Sequence, residues 1–498
     1  MKVELDLTYP GKFRWSKHEN IYFIGYAFDE TGKLYQEAAD WEEDILLNKI
    51  ETVLGAFAAV LLQKDQVIVW CDTGASFPIF YKKGDNKLII SSQPRPDSND
   101  EIIDREAYKR IFCTEGKNTL LPNWSSILVG HKLVANLHTQ QVQVKRYFDH
   151  FVLDKVKNDD NFERQFLRIT QEWAQQIITY ANGKQIWVAL SGGYDCRLIL
   201  STLIMAKAPN LHCYTYGRKE SQEIQMASEV ARVLNLKWHF IPYDEQTFGE
   251  FFTDSWMNYA MQNHHYHTLP HEQDFFALTE LSKKGLLEEG FIGIAGHVGE
   301  IPAGSVMKSY PIQLKEYITQ TCGFAPQHYM KDKDIDTWDR YHQWINENKM
   351  SKFITNSIRL FEYFGGKWML PMWHRDFMHL FYSLEFSERW DKKAYVDLSF
   401  KHYFKPLNID FVKPKNDTRS SKKSYKEYIK AILPNKILRK IKYINSKSIV
   451  VDPCNLHVLY EMLYEHMHKN KIPLPEKDGD LNRLHAFYML HLLKEQLQ

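Results

Sequence analysis

Short apolar runs separated by turn residues fill the first part of the chain. They read "IYFIGYAFD", "AFAAVLLQ", "QVIVWCD", "FPIFYKK" and "KLIISSQ", with turn signals such as "ETGK" and "KGDNK" between them. Runs rich in β-branched and aromatic residues at this spacing predict an antiparallel all-β or α+β layer domain. The polar stretch "DKVKNDDNFERQ" then predicts a boundary, giving one domain over residues 1–155 and a second over 160–498. A helix is expected from about Asn161 to about Ala181.

The second part alternates apolar strands with helix-period segments. The strand at Ile186–Leu190 is followed by the helical "CRLILSTLIMAKA", the strand "LHCYTYG", the helical "EIQMASEVARVLNL" and the strand "WHFIPY". A helical stretch near residues 272–284 and the strand "GFIGIAG" come next, and beyond Ser305 the chain is mostly helical. This alternation predicts a doubly wound parallel sheet. The fold class expected for the whole chain is therefore α/β, with an α+β layer in front and a helical part behind.

Two glycine-rich strand ends carry the candidate chemistry. In "LSGGYDCR", glycines after a strand allow backbone N–H groups to point at a ligand, and the following helix adds its own N–H groups. Asp195 is then placed to hold a Mg²⁺ ion that bridges phosphates. In "FIGIAGHVGEIPAGS", another strand runs into glycines with the carboxylate Glu300. The two ends together predict a clamp for one Mg-nucleotide, against the alternative of incidental tight turns.

The first of these segments resembles the SGGxDS pyrophosphate motif of the N-type ATP pyrophosphatases, and within them the asparagine synthetase superfamily. The family's final Ser is Cys196 here, which removes a hydroxyl donor. The second segment resembles the corresponding loop of the β-lactam synthetases, down to Ile301, Pro302 and Gly304. Glu300 stands where that family has its second metal-binding Asp.

The resemblance implies a set of site residues. The residues it assigns to ATP and pyrophosphate are Leu190, Ser191, Gly192, Gly193, Asp195, Cys196, Tyr216 and Gly296. Asp195 and Glu300 are the expected Mg²⁺ ligands. His297 is the expected catalytic base that deprotonates an attacking amine, since the pKa of histidine suits that role. Lys415, in "FVKPKNDTRSS", is the expected catalytic cation that stabilises developing negative charge, with Lys413 as the alternative.

The first domain resembles the glutaminase domain of the same superfamily in "LGAFAAVLL", "VWCDTGASFPIFYK", "LIISSQ" and "NWSSILVGHKL". The chain nevertheless begins "MKVEL", without the Met-Cys start that supplies the glutaminase nucleophile, and its first cysteine is Cys71. A degenerate glutaminase-like domain of the Ntn type, without glutamine hydrolysis, is therefore expected over residues 1–155. The β-lactam and carbapenam synthetases carry such a domain.

Three further groups allow functional interpretations that we rank below structural ones. The histidines of "NHHYHTLPHEQ" have HxH spacing but neither an HExxH motif nor a cysteine partner, so a mobile substrate loop is favoured over a metal site. Asn356, Arg359 and Glu362 share one helix face, which favours a surface or interhelix salt bridge over substrate contact. The basic stretch over residues 422–443 is an amphipathic helix candidate for an acidic glycan, a peptide or a membrane surface, or a solvated face.

Composition excludes several classes of protein. The 498 residues are 44% hydrophobic and 25% charged with a net charge of +1, so no global field attracts nucleic acid or membrane. The sequence predicts no secretory signal and no membrane span, and its dispersed cysteines indicate a cytoplasmic protein.

The function expected from the resemblance is an ATP-dependent carbon–nitrogen ligase that forms AMP. It would adenylate a small-molecule, sugar-acid or peptide carboxylate and couple it to ammonia or a substrate amine, with ATP and Mg²⁺ as cofactors. The alternatives are a nucleotide-binding relative that has lost catalysis and an asparagine synthetase that uses free ammonia.

Overall fold

Two sheets form the first part of the molecule. The computed structural model describes residues 1–103, 105–149, 154–297, 299, 301–305, 338–411 and 435–497. In chain order the first strands are β1 Lys2–Asp6, β2 Ser16–His18, β3 Ile21–Phe28, β4 Leu34–Tyr35, β5 Leu54–Leu62, β6 Gln66–Cys71, β7 Phe80–Gly84, β8 Lys87–Ser91, β9 Ser125–Ser126, β10 His131–Asn136 and β11 Val142–Arg146. The larger sheet has the order β11-β10-β6-β5-β3-β2, with β4 beside β3, and its pairs are antiparallel. The smaller sheet has the order β1-β8-β7-β9, in which β1 is parallel to β8.

Strand β5 is buried on both faces because its successive side chains point alternately into two different cores. Ala58 and Val60 belong to the large core of the molecule, whereas Phe57 and Leu61 belong to a smaller core on the opposite face. Successive side chains of a strand point to opposite faces, so an unbroken apolar run needs a cover on each side. The predicted strands of this region are confirmed.

The second part contains a parallel five-stranded sheet. Its strands are β12 Ile186–Ala189, β13 Leu211–Gly217, β14 Lys237–Pro242, β15 Ile292–Ile294 and β16 Lys367–Met369. The order is β14-β13-β12-β15-β16, and every pair is parallel. The order runs outward in both directions from β12, so the chain reverses its direction of winding between β12 and β15. The α/β fold class is confirmed.

Strand β16 is absent from the sequence prediction, which treats "RLFEYFGGKWMLPMW" as helical. A helix does cover Arg359–Tyr363, but Gly365 and Gly366 follow it and the next residues pair with β15. Trp368 and Met369 are buried in this edge strand. Three residues are too few for a periodic signal, and pairing with β15 decides their conformation.

Helices surround both parts. In chain order they span Glu43–Lys49, Arg105–Ile111, Asp160–Ala181, Tyr194–Met205, Gln222–Val233, Glu245–Phe248, Asp254–Asn263, Phe275–Lys283, Trp338–Ile345, Arg359–Tyr363, Arg375–Ser383, Phe386–Arg389, Lys393–Ser399, Asn435–Ser446, Leu456–Lys469 and Leu481–Gln496. The longest begins where the sequence predicts, because the Asp159 carboxylate accepts the N–H groups of Asn161 and Phe162. It ends at Asn182, which adopts the left-handed conformation with φ of 44°.

A buried ion pair lies at the contact between the two parts. It is formed within one helix and is buried, so the prediction of a surface or interhelix salt bridge is wrong. Arg359 Nη1 lies 2.7 Å from Glu362 Oε1 within one helix, and both side chains are almost completely buried. Glu362 also accepts the Tyr9 hydroxyl at 3.0 Å and the Lys12 N–H at 3.0 Å. Arg359 donates to the carbonyl of Ser76. Buried apolar side chains from both parts form one continuous cluster, and the domain boundary between residues 155 and 160 stays a prediction.

The histidine-rich segment is structural along most of its length, so the prediction of a mobile substrate loop is wrong there. His264, His265 and His267 are buried. The backbone around them is held by the first part of the chain, through Leu120 N–H to Tyr266 O at 2.6 Å and Thr114 N–H to His267 O at 2.9 Å. Burial lowers the pKa of His264 to about 3, so the ring is neutral at pH 7 and packs as an aromatic group.

Among the described residues, no helix is long and apolar enough to cross a membrane.

Candidate functional site

The first glycine-rich loop connects strand β12 to a helix at the switch point of the sheet. Leu190 continues the strand pairing, since its N–H donates to Tyr214 O at 2.8 Å. Gly193 is the N-cap of the helix Tyr194–Met205, with extended backbone at φ −76° and ψ 174°. The first N–H groups of a helix have no partner within it, so this end offers donors and a positive dipole to an anion. The loop is thus built as the sequence predicts.

The side chain of Cys196 is buried behind this loop and contacts Ser191. Its Sγ lies 3.1 Å from the N–H of Ser191 and 3.3 Å from the Ser191 hydroxyl oxygen. The side chain is buried, and burial raises the pKa of the thiol, so the sulfur is a neutral thiol at pH 7. Cys196 therefore contacts the start of the loop.

The second glycine-rich segment lies directly beside the first. A Cβ atom placed on Gly296 would stand 3.2 Å from the Cys196 N atom, which is closer than ordinary van der Waals contact. Only a residue without a side chain lets the two backbones approach this closely. Farther along, Gly304 has φ of +104°, and a Cβ there would meet the carbonyl of Arg389. Glu300, the predicted second metal ligand, lies outside the described residues, as does Lys415.

One cavity of about 570 Å³ lies between the two loops. Its size falls within the range of ligand pockets, about 300–1,000 Å³. Nine of the residues predicted from sequence line it: Leu190, Ser191, Gly192, Gly193, Asp195, Cys196, Tyr216, Gly296 and His297. The structure therefore brings together the described members of the predicted site.

Asp195 lies in the first turn of the helix that follows the first loop. The hydroxyl of Tyr395 donates to its Oδ1 at 2.7 Å, which fixes the orientation of the carboxylate. A carboxylate at a helix N-terminus is stabilised in its charged form by the helix dipole. It faces the cavity next to the glycines, where a cation bound to phosphates would lie.

His297 reaches the cavity as a neutral ring. Burial lowers its pKa to about 4, while the Asp274 carboxylate opposes that change. Asp274 lines the same cavity and accepts the Tyr214 hydroxyl at 2.8 Å. At pH 7 the imidazole of His297 is therefore a weaker base than an ordinary histidine, which departs from the expectation that its pKa suits the role of catalytic base, and anionic groups that approach the ring would raise its pKa again.

Tyr216 forms part of an aromatic wall. Its ring lies 4.6 Å from that of Tyr243, with an angle of 10° between the ring planes. Stacked rings of this kind are rigid, and their outer face can contact a planar base. The position at the end of β13 agrees with the predicted role beside a nucleotide base.

Sequence reasoning missed several cavity residues. Glu223, Gln273, Asp274, Lys392, Pro453 and Cys454 also line the cavity. Glu223 is in the first turn of a helix whose N-cap is Ser221. The capping residue indicates in the sequence where this helix begins, but it does not indicate that Glu223 contacts the first loop. Lys392 adopts the left-handed conformation with φ of 65°, an uncommon state for a lysine that a sequence does not reveal.

The first loop has the donor chemistry that a phosphate requires. The N–H of Gly192 donates to Glu223 Oε2 at 3.1 Å, so a side-chain carboxylate oxygen already accepts from this amide. Anionic oxygen at a loop N–H is the arrangement that a phosphate oxygen would adopt. The N–H groups of Ser191 and Gly193 are also engaged within the protein, by the Cys196 sulfur and the Ser191 hydroxyl oxygen at 3.1 Å each, so a phosphate at this loop has to replace these acceptors and the Glu223 carboxylate.

Comparisons with known proteins give little beyond this geometry. No family model matches the sequence, and no curated protein matches it. Solved structures that are similar include glutamine phosphoribosylpyrophosphate amidotransferase from B. subtilis complexed with ADP and GMP. This match has 9% identity over 58% of this chain and 58% of that chain, with a TM-score of 0.16. A structure described as the allosteric regulatory enzyme of purine biosynthesis matches at 9% identity over 62% of this chain and 59% of that chain, with a TM-score of 0.17. The chain thus spans less than two thirds of either structure's length.

Proposed function

We propose that this protein is an ATP-dependent ligase that adenylates a carboxylate and couples it to an amine, releasing AMP and pyrophosphate. The observation that supports this most directly is the close approach of the two loops at Cys196 and Gly296 around one cavity. A cavity with loop amides, a helix N-terminus and a carboxylate on one side, and a neutral histidine on the other, suits attack on a bound nucleoside triphosphate.

In the proposed reaction a substrate carboxylate oxygen attacks the α-phosphorus of ATP, and the bond to the pyrophosphate oxygen breaks. The N–H groups of the Ser191–Gly193 loop would exchange their present acceptors, which are the Cys196 sulfur, the Glu223 carboxylate and the Ser191 hydroxyl oxygen, for the phosphate oxygens of the leaving group. Mg²⁺ held by Asp195, and in our proposal by Glu300, would neutralise the charge on that group.

The second half-reaction forms the amide. The amine attacks the carbonyl carbon of the acyl-adenylate, its proton passes to His297 Nδ1 or Nε2, and AMP leaves. Lys415 is proposed to stabilise the negative charge that develops in this step. The amine is ammonia or an amine carried by a substrate, and the carboxylate belongs to a small molecule, a sugar acid or a peptide. We propose a cytoplasmic location and no glutaminase activity.

Replacing Asp195 tests this proposal. The purified chain is incubated with Mg-ATP, hydroxylamine and a panel of carboxylates, and both hydroxamate and pyrophosphate are measured. We expect Asp195→Asn to reduce both by at least about 100-fold, since a metal ligand acts in the transition state. Asp397→Asn, at an exposed position of a neighbouring helix, is the matched control and should retain activity.

Two outcomes would contradict the proposal. If Mg-ATP binds but no carboxylate gives hydroxamate or pyrophosphate, the protein is a nucleotide-binding relative without catalysis. If Asp195→Asn forms hydroxamate as fast as the wild type, the first loop does not hold the metal.

A further inference from the structure

The described side chains of the helix Asn435–Ser446 that contact the rest of the protein lie on one face. Tyr443 donates its hydroxyl to Glu461, and Lys442 Nζ lies 2.9 Å from Asp480 Oδ2. Ser446 lies against Gly479, where a Cβ would stand 2.6 Å from the serine oxygen. On a helical projection with 100° per residue, Lys442, Tyr443 and Ser446 occupy one face. This face docks on the two C-terminal helices.

The opposite face is apolar and exposed. Ile437, Ile441 and Ile444 follow i, i+4, i+7 spacing, and their exposed fractions are 45%, 43% and 59%. Such spacing places three side chains in one stripe along a helix. The stripe continues in the next turn with Val450 at 64% exposed and Val451 at 59% exposed. We call these five residues the isoleucine–valine stripe.

Positive charge accompanies the stripe. Between Glu427 and Asp452 the sequence has no acidic residue and six basic ones: Lys430, Lys436, Arg439, Lys440, Lys442 and Lys447. Lys440 is exposed and lies next to Ile441 along the helix. The rest of the chain does not share this bias, since the net charge of the whole protein is +1.

We propose that the isoleucine–valine stripe binds an anionic lipid surface, with its side chains inserted among the headgroups and with Lys440, which is exposed beside the stripe, facing lipid phosphates. An amphipathic helix with an apolar stripe and flanking cations lies in the plane of such an interface. Basic residues near an anionic membrane are attracted to its negative surface potential. A protein partner fits less well, because stable protein interfaces bury about 1,600 Å² and five side chains cover only part of such an area. This proposal is independent of the chemistry proposed for the cavity.

Vesicle sedimentation tests the proposal on the full chain. Phosphatidylcholine vesicles, with or without phosphatidylglycerol, are mixed with the protein at low and at high salt. We expect binding to the anionic vesicles that is at least about tenfold stronger than to the neutral ones and that weakens with salt. The variant Ile441→Ser with Ile444→Ser should bind at least about tenfold more weakly, because apolar insertion is lost.

Matched controls distinguish binding through the isoleucine–valine stripe from nonspecific adsorption through other exposed apolar side chains. Val144→Ser combined with Met205→Ser removes two exposed apolar side chains elsewhere and should bind like the wild type. Lys440→Gln should lower affinity for anionic vesicles only. The proposal is overturned if the anionic vesicles bind no protein, or if the isoleucine double variant binds as well as the wild type. It is also overturned if light scattering shows a dimer that this variant makes monomeric, which would assign the stripe to a second copy of the chain.

Discussion

Gly296 sets the distance between the two loops of the cavity. The hypothetical Cβ of residue 296 would stand 3.2 Å from the Cys196 N atom, and that atom belongs to the first turn of the helix Tyr194–Met205. Inserting a methyl group at such a contact pushes the backbones apart. The close approach of the two loops therefore depends on the absence of a side chain at one position.

We expect Gly296→Ala to weaken the binding of Mg-ATP by about tenfold, in line with overpacking costs of about 1–3 kcal/mol. Isothermal titration calorimetry measures this directly. Gly249→Ala is the control, since a Cβ at Gly249 meets no atom within 4 Å and its φ of −54° suits alanine. Equal affinity of Gly296→Ala and the wild type would show that nucleotide does not bind between the loops.

Individual site residues were predictable from sequence where they lie at the end of a strand beside glycines. Ser191, Gly192 and Asp195 have that context, and all three line the cavity. Glu223 and Asp274 lack it, because they reach the cavity from helix starts that the sheet brings near. Their signal is spatial, and one sequence does not contain it.

At the scale of elements, the segment His264–Thr268 shows that polar residues can be packed in the protein core. Among the described residues, neither ring nitrogen of His265 has a hydrogen-bond partner, and the ring lies 6.4 Å from that of Phe80. Burial lowers the pKa of His265 well below the usual value of 6.5. The folded chain therefore binds this proton less readily than the unfolded chain does.

Stability should consequently fall as the pH decreases below 6.5, because the unfolded chain then takes up protons that the folded chain excludes. We expect His265→Phe to remove part of this dependence, recovering up to about 2 kcal/mol at pH 5 compared with pH 7.5. Urea denaturation of both proteins at the two pH values measures the difference. His468→Phe, at an exposed histidine, should leave the pH dependence unchanged. Parallel pH profiles for His265→Phe and the wild type would exclude this origin.

Elements with long periodic patterns were predicted well, and short ones were not. The helix Asp160–Ala181 can be predicted from the sequence because it is long and because a capping aspartate precedes it. Strand β16 has only three residues and depends on its partner β15 for its conformation. Nothing local distinguishes it from the helical residues before it.

For the whole molecule, the Arg359–Glu362 pair is one of the connections between the first part of the chain and the cavity. The backbone and hydroxyl groups of residues 9–12 bind Glu362, while Ser357 and Phe361 beside the pair line the cavity. The position of these cavity residues therefore depends on contacts with the first part of the chain. Sequence spacing placed both charges on one helix face but could not show that the face is buried.

We expect Glu362→Gln to lower the free energy of unfolding by about 3 kcal/mol, because it leaves the Arg359 cation buried without its partner. Chemical denaturation at pH 7 measures this change. The control is Glu289→Gln, which removes an exposed partner of Lys12 and should have no measurable effect. A loss for Glu362→Gln no larger than that of the control would mean that the pair is solvated in solution.

A turn near the C-terminal helices determines when the cavity can exist. The Pro453 carbonyl accepts the Arg218 N–H at 2.9 Å, and Pro453 and Cys454 form part of the cavity wall next to β13. The wall of the cavity is therefore complete only after the ribosome has translated residue 454, about 260 residues after the first loop.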